Sequence, residues 1–172
     1  MNLRMRIADT RDTCAWSRTT HSAAETRTLG ARLAKRLKPG DVVLLWGDLG
    51  SGKTTLAQGI CHGLEVVAWA NSPTFTLINE YDGRLADGQP VRVYHCDFYR
   101  LRDSDELNTL ALDEVFYGDG VALVEWPKIA EEWLPQEAIR VHLTRLGPHK
   151  RQIDIIKLIG QTEEDRCSTR MA

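Results

Sequence analysis

The chain has 172 residues, 42% apolar and 27% charged, with a net charge of −2. That length suits one compact domain with its own core, and the composition is that of a soluble globular protein. So small a charge provides no overall basic field to draw the chain to nucleic acid or a membrane surface, and no run is long enough to span a bilayer. Residues 1–16 carry arginines but lack the apolar stretch of a secretory signal. The cysteines at 14, 61, 96 and 167 form no C-x-x-C pair. Reduced thiols in a cytoplasmic protein are the simplest expectation, and zinc has no support.

Residues 1–13 are polar, and 14–20 read as a first strand within an N-terminal extension, 1–19. Ser22 is placed to cap a helix over 23–37, with Leu29, Leu33 and Leu37 near helical spacing. Lys38-Pro39-Gly40-Asp41 stops it. Val42-Val43-Leu44-Leu45-Trp46 has the unbroken apolarity of a strand covered on both faces. A helix then runs to about Gly63, followed by strands within 66–69 and over 74–81. Asp82-Gly83 and Asp87-Gly88-Gln89-Pro90 read as turns. Residues 91–98 make the next strand, 103–112 a helix capped by Asp103 or Ser104, and 121–125 another buried strand. A short helix opens at Pro127, where proline is tolerated. Residues 139–144 and 151–159 form a closing hairpin, and 161–172 a polar, disordered tail. The order predicts an α/β fold: a single phosphate-loop domain over 20–160, with a mixed β-sheet flanked by helices.

The strongest chemical signal lies between the 42–46 strand and the helix after it. Gly47-Asp48-Leu49-Gly50-Ser51-Gly52-Lys53-Thr54 fits G-x-x-x-x-G-K-[ST]. Glycines let successive backbone N–H groups approach phosphate oxygens, and the helix start adds its positive dipole end. Lys53 would reach the β- and γ-phosphates of a nucleoside triphosphate, and the Thr54 hydroxyl would be a magnesium ligand. The dinucleotide fingerprint fits less well, because Thr55 stands where its third small residue belongs.

Hydrolysis needs more than this loop. Glu125 ends an apolar strand, where an α/β sheet has its ligand crevice, and is expected to be the magnesium-side carboxylate, directly or through water. The plain alternative is a strand-end acid that caps a helix or pairs with an arginine. Asp97, after residues 91–96, is the candidate for orienting water or supporting the metal shell. His95 shares its strand parity and is either a buried structural histidine or part of the same cluster. Arg100 would read a phosphate or a partner's carboxylate. Ser72-Pro73-Thr74-Phe75-Thr76-Leu77 sits where switch segments sense a γ-phosphate, or is an ordinary Thr-rich strand edge.

Four blocks together resemble the TsaE family: Gly47 to Thr55, Ser72-Pro73-Thr74-Phe75-Thr76-Leu77 with Glu80-Tyr81, His95-Cys96-Asp97-Phe98-Tyr99-Arg100-Leu101, and Val124-Glu125-Trp126-Pro127. The resemblance covers about residues 20–160. It implies a small ATPase of tRNA threonylcarbamoyladenosine biosynthesis. Such a protein binds the TsaD–TsaB complex, meets tRNA only through it, and hydrolyses ATP to sustain its turnover at tRNA position 37. It also implies that Thr54 and Glu125 hold Mg2+, that Lys53, Asp97 and Glu125 serve hydrolysis, and that Thr74, Trp126 and Arg151 join the loop residues Gly47, Asp48, Leu49, Gly50, Ser51, Gly52, Lys53, Thr54 and Thr55 around the nucleotide. Where the family often has an acidic residue near the adenine, this chain has His21-Ser22-Ala23-Ala24-Glu25.

Two other functions share the loop. A small-metabolite kinase would carry an arginine-rich lid, for which Arg100-Leu101-Arg102 is thin material. A nucleotide-gated binding module would bind without useful turnover. A GTP switch is disfavoured, since no Asn-Lys-x-Asp base-reading motif occurs.

Overall fold

The computed structural model describes residues 13–67, 73 and 76–158. Among them, seven strands build one mixed sheet: β1 (Thr13–Thr20), β2 (Val42–Trp46), β3 (Ile78–Arg84), β4 (Pro90–Asp97), β5 (Val121–Glu125), β6 (Ile139–Arg145) and β7 (Arg151–Leu158). The α-helices are α1 (Ala23–Ala34), α2 (Lys53–Gly63) and α3 (Leu112–Tyr117), and Ser104–Thr109 and Pro127–Trp133 are 3-10 helices. The strand order is β1-β7-β6-β2-β5-β4-β3. The middle of the sheet, β6-β2-β5-β4, is parallel. Both flanks are antiparallel.

Alternation along the central strands divides the core in two. Val43 and Leu45 of β2 and Leu123 of β5 pack with Leu56, Ile60 and Leu64 of α2 and its end. Val42, Leu44 and Val124 face the other way, toward Leu107, Phe116 and Ala130. Removal of each large side chain from water contributes about 1.5–3 kcal/mol, which is why β2 and β5 are apolar at nearly every position.

The α1 helix begins as expected. Ser22 Oγ accepts the Glu25 N–H at 3.1 Å, and the Glu25 carboxylate accepts the His21 N–H at 2.8 Å. This reciprocal pairing satisfies backbone donors at the helix start. The helix lies so close to α2 that a Cβ at Gly59 would stand 2.2 Å from the Arg27 carbonyl oxygen, and one at Gly30 2.5 Å from that of Leu56. Glycine is needed there for contact between backbones.

Several expected boundaries differ. The first helix ends at Ala34 rather than near residue 37, with Lys35 as its C-cap. Val66 and Val67 belong to no strand, and residues 68–69 lie outside the described part. The strand expected over 74–81 starts at Ile78 and runs to Arg84, through the expected Asp82-Gly83 turn. Gly83 pairs with Val91, and a Cβ there would meet the Leu64 carbonyl at 2.8 Å, so this glycine serves close packing rather than a turn. The turn falls at Asp87-Gly88, where the chain reverses between Leu85 and Gln89. The single helix expected over 103–112 is two short pieces. Asp103 caps the first, an extended Leu110 interrupts, and α3 follows so that Leu112, Val115 and Phe116 reach the core. Residues 1–12 and the tail 161–172 lie outside the described residues.

Candidate functional site

The loop between β2 and α2 has the geometry the glycines predict. Gly47, Gly50 and Gly52 have positive φ, at 146°, 74° and 104°. A Cβ on Gly47 would stand 2.4 Å from the Leu143 carbonyl oxygen and 2.6 Å from Ser51 Oγ. A side chain is thus excluded on both conformational and steric grounds. Gly52 caps α2, and Lys53 and Thr54 occupy the helix start.

Lys53 is buried at the floor of this loop. Its ammonium donates to the carbonyls of Gly47 at 2.7 Å and Asp48 at 2.9 Å. It also lies 3.9 Å from the centroid of the Trp126 ring. Burial lowers its pKa below the ordinary lysine value, and the charges of Glu125, Asp97 and Asp48 act in the opposite direction.

Glu125 comes from the far end of β5, which lies beside β2. Thr54 Oγ1 is 3.0 Å from Glu125 Oε1 and 2.9 Å from Oε2, so its single proton is shared between the two oxygens. Asp97, at the end of β4, stands opposite Glu125 in the register. Both carboxylates are buried. Asp97 Oδ1 accepts the Tyr99 N–H at 3.0 Å, which turns the chain at the strand exit. The Tyr99 ring then packs against Trp126 at 4.8 Å. Trp126 has φ 56°, a left-handed conformation uncommon for a large side chain, and Pro127 directly follows it.

Arg151, on β7, meets the loop from outside. Its guanidinium donates to the Gly50 carbonyl at 3.1 Å, and to those of Gly147 at 2.9 Å and Lys150 at 3.0 Å. It therefore ties the β6–β7 turn to the phosphate loop. Asp48 and Leu49 are exposed on the rim, and Thr55 is half-buried in the first turn of α2. Ser72 and Thr74, singled out in the switch-like segment, lie outside the described residues. The strand expected over 91–98 ends at Asp97, and Tyr99 beyond it turns toward Trp126. The links Tyr99–Trp126 and Arg151–Gly50 carry no sequence signal, since each depends on how separate segments come together.

The residues present suit a magnesium–nucleotide. Gly47, Gly50 and Gly52 hold the loop in positive-φ conformations, Lys53 supplies buried positive charge, and Thr54 and Glu125 offer hard oxygen donors. Among the described residues, no group of three or more His, Cys, Asp or Glu is arranged to hold a metal. Magnesium beside a triphosphate needs none, because phosphates and water fill most of its shell. A groove of about 470 Å³ between β1 and α1, lined by Trp16, Arg18, Leu29, Arg32, Leu33 and Ile155 among others, includes none of the phosphate-loop residues. The chemistry, not the concavity, locates the site.

A parallel central sheet with a glycine loop between β2 and α2, and carboxylates at the ends of two neighbouring strands, defines an α/β protein of the phosphate-loop class. Residues 20–153 match the family model described as "Threonylcarbamoyl adenosine biosynthesis protein TsaE". The chain belongs to the TsaE family. It is 46% identical over 144 residues to the Bacillus subtilis tRNA threonylcarbamoyladenosine biosynthesis protein TsaE, a match covering 83% of this chain and 85% of that one. The TsaE protein of Streptomyces coelicolor is 43% identical over 120 residues, 69% of this chain and 78% of the relative. A crystal structure of YdiB from Bacillus subtilis superposes with a TM-score of 0.74 at 36% identity, covering 93% of this chain and 96% of that one. Among the described residues, no helix is long and apolar enough to cross a membrane.

Proposed function

We propose that this chain is a magnesium-dependent ATPase of tRNA threonylcarbamoyladenosine biosynthesis. In this reading it works in the cytoplasm with TsaD and TsaB, and its ATP hydrolysis sustains their turnover at tRNA position 37. The pathway follows from the family and the names of its relatives. The ATPase reading rests above all on the Thr54–Glu125 contact, which brings a magnesium-binding hydroxyl and a strand-end carboxylate together across 71 positions of sequence.

The loop amides and the α2 start bind the phosphate oxygens, and Lys53 exchanges its carbonyl partners for the β- and γ-phosphates. Bound magnesium would neutralise charge developing on the phosphates, held by Thr54 and Glu125 directly or through water. Asp97 orients the attacking water. Trp126, Arg151 and Thr74 complete the nucleotide surroundings. Turnover by the isolated chain is slow, because the loop lacks an evident arginine finger of its own and a partner must complete the site.

Calorimetry with Mg-ATP, on the chain alone and with TsaD and TsaB, tests the binding. Heat of complexation is expected in wild type and a loss of about tenfold or more in affinity in Lys53→Ala. Mass spectrometry of tRNA nucleosides from cells carrying only Glu125→Ala should show the threonylcarbamoyl mark gone. A fully modified tRNA pool in those cells overturns the metal role, and rapid phosphorylation of a small metabolite would move the assignment to a kinase.

A further inference from the structure

His95 is completely buried, with an exposure of 0%, and sits one turn of the strand pleat below Asp97 on the same face of β4. Its Nε2 lies 2.9 Å from Glu125 Oε1. Its Nδ1 is buried without a hydrogen-bond partner among the described residues. The imidazole therefore directs one polar atom at one target. A buried N–H without a partner is costlier than a bare ring nitrogen, so the proton belongs on Nε2 and is donated to the carboxylate. Such a group is expensive to bury for packing alone, since an apolar side chain would fill the same space without losing hydration.

We infer that His95 is a positioning residue for Glu125, holding Oε1 by a hydrogen bond so that the carboxylate keeps one orientation toward Thr54 and the magnesium. The inference rests on the proposed metal role of Glu125. The strand register explains how the contact arises. His95 pairs with Leu123 in the parallel β4–β5 ladder, two residues before Glu125, so the ring lies under the carboxylate from the core side. Thr54 approaches the same carboxylate from α2. Oε1 thus receives two donors and Oε2 only the shared Thr54 hydroxyl among the hydrogen bonds of the described residues. A rotation of the carboxylate would break the His95 bond, so the ring selects one orientation before any metal arrives. This is the arrangement in which an outer partner tunes a ligand it does not replace.

The test compares His95→Gln, whose amide can donate from nearly the Nε2 position, with His95→Met, which fills the space without a donor. The Mg2+ concentration giving half-maximal ADP binding is read by calorimetry, alongside ADP affinity in EDTA and the thermal midpoint. His95→Met should raise the Mg2+ midpoint about tenfold, while ADP affinity in EDTA stays unchanged. His95→Gln should restore most of the Mg2+ response. Equal Mg2+ midpoints in wild type and a folded His95→Met, or equal impairment in both variants, overturns the inference. Nitrogen NMR of the unsubstituted protein gives a readout independent of how the variants fold. The Nε2–H tautomer is expected for His95, and a proton on Nδ1 with bare Nε2 overturns the assignment. Glu125→Gln separates the two layers: if it leaves the Mg2+ midpoint unchanged, the metal role of Glu125 fails. If it raises the midpoint and His95→Met does not, the positioning role alone fails.

Discussion

The Lys53 ammonium rests 3.9 Å from the face of Trp126, and this links the phosphate loop to the end of β5. A cation over an indole face is attracted by about 0.5–2 kcal/mol. Triphosphate oxygens offer far stronger charge, so nucleotide binding should draw Lys53 away from the ring and from the carbonyls of Gly47 and Asp48. The tryptophan emission of the chain should then change on addition of Mg-ATP, and Trp126→Phe should remove that change. A response of full size in Trp126→Phe would show that the signal comes from elsewhere and that the ring does not sense Lys53.

Arg151 is expected to support nucleotide binding through the loop backbone. Its removal breaks the bond to Gly50 and frees the β6–β7 turn. Loss of one charge-assisted bond at a half-buried site corresponds to about 1–1.4 kcal/mol, or a five- to tenfold weaker Kd. Calorimetry of Arg151→Ala with Mg-ATP reads this directly. An unchanged Kd would mean that the loop holds its shape unaided.

Asp97→Asn should separate binding from turnover. The amide keeps an oxygen to accept the Tyr99 N–H, so the strand exit is retained, but the negative charge that would orient water is gone. Affinity for Mg-ATP within about twofold of wild type and a turnover reduced by about 10²-fold are expected. Steady-state hydrolysis with TsaD and TsaB, beside calorimetry, makes the distinction. Loss of ATP binding in a folded variant would place Asp97 in the binding site itself.

Gly59→Ala should destabilise the fold with no direct effect on chemistry. Its Cβ would meet the Arg27 backbone at 2.2 Å, and backbone cannot swing aside as a side chain does. Overpacking of this kind costs about 1–3 kcal/mol, measurable as a lower urea midpoint at unchanged slope. A midpoint equal to wild type would show that α1 and α2 can part at little cost.

Much of the architecture was legible because its signals are local. The apolar runs at 42–46 and 121–125 became β2 and β5, and Ser22 became the cap of α1. Elsewhere tertiary packing overrode local chemistry. Asp82-Gly83 has turn composition but lies within β3, because Gly83 must fit against the Leu64 backbone. The 103–112 segment has one helix's worth of polar and apolar residues, but Leu110 is extended and core contacts divide it.

The loop at 47–54 was determined by sequence alone, because its shape depends on the backbone freedom of a few consecutive residues. The partners of that loop were decided by the tertiary structure. Strand order puts β5 beside β2 and β4 beside β5, and so brings Glu125 to Thr54 and His95 beneath Glu125. Contacts between residues 30 and 71 positions apart arise from the pairing of strands, which no short run of sequence encodes.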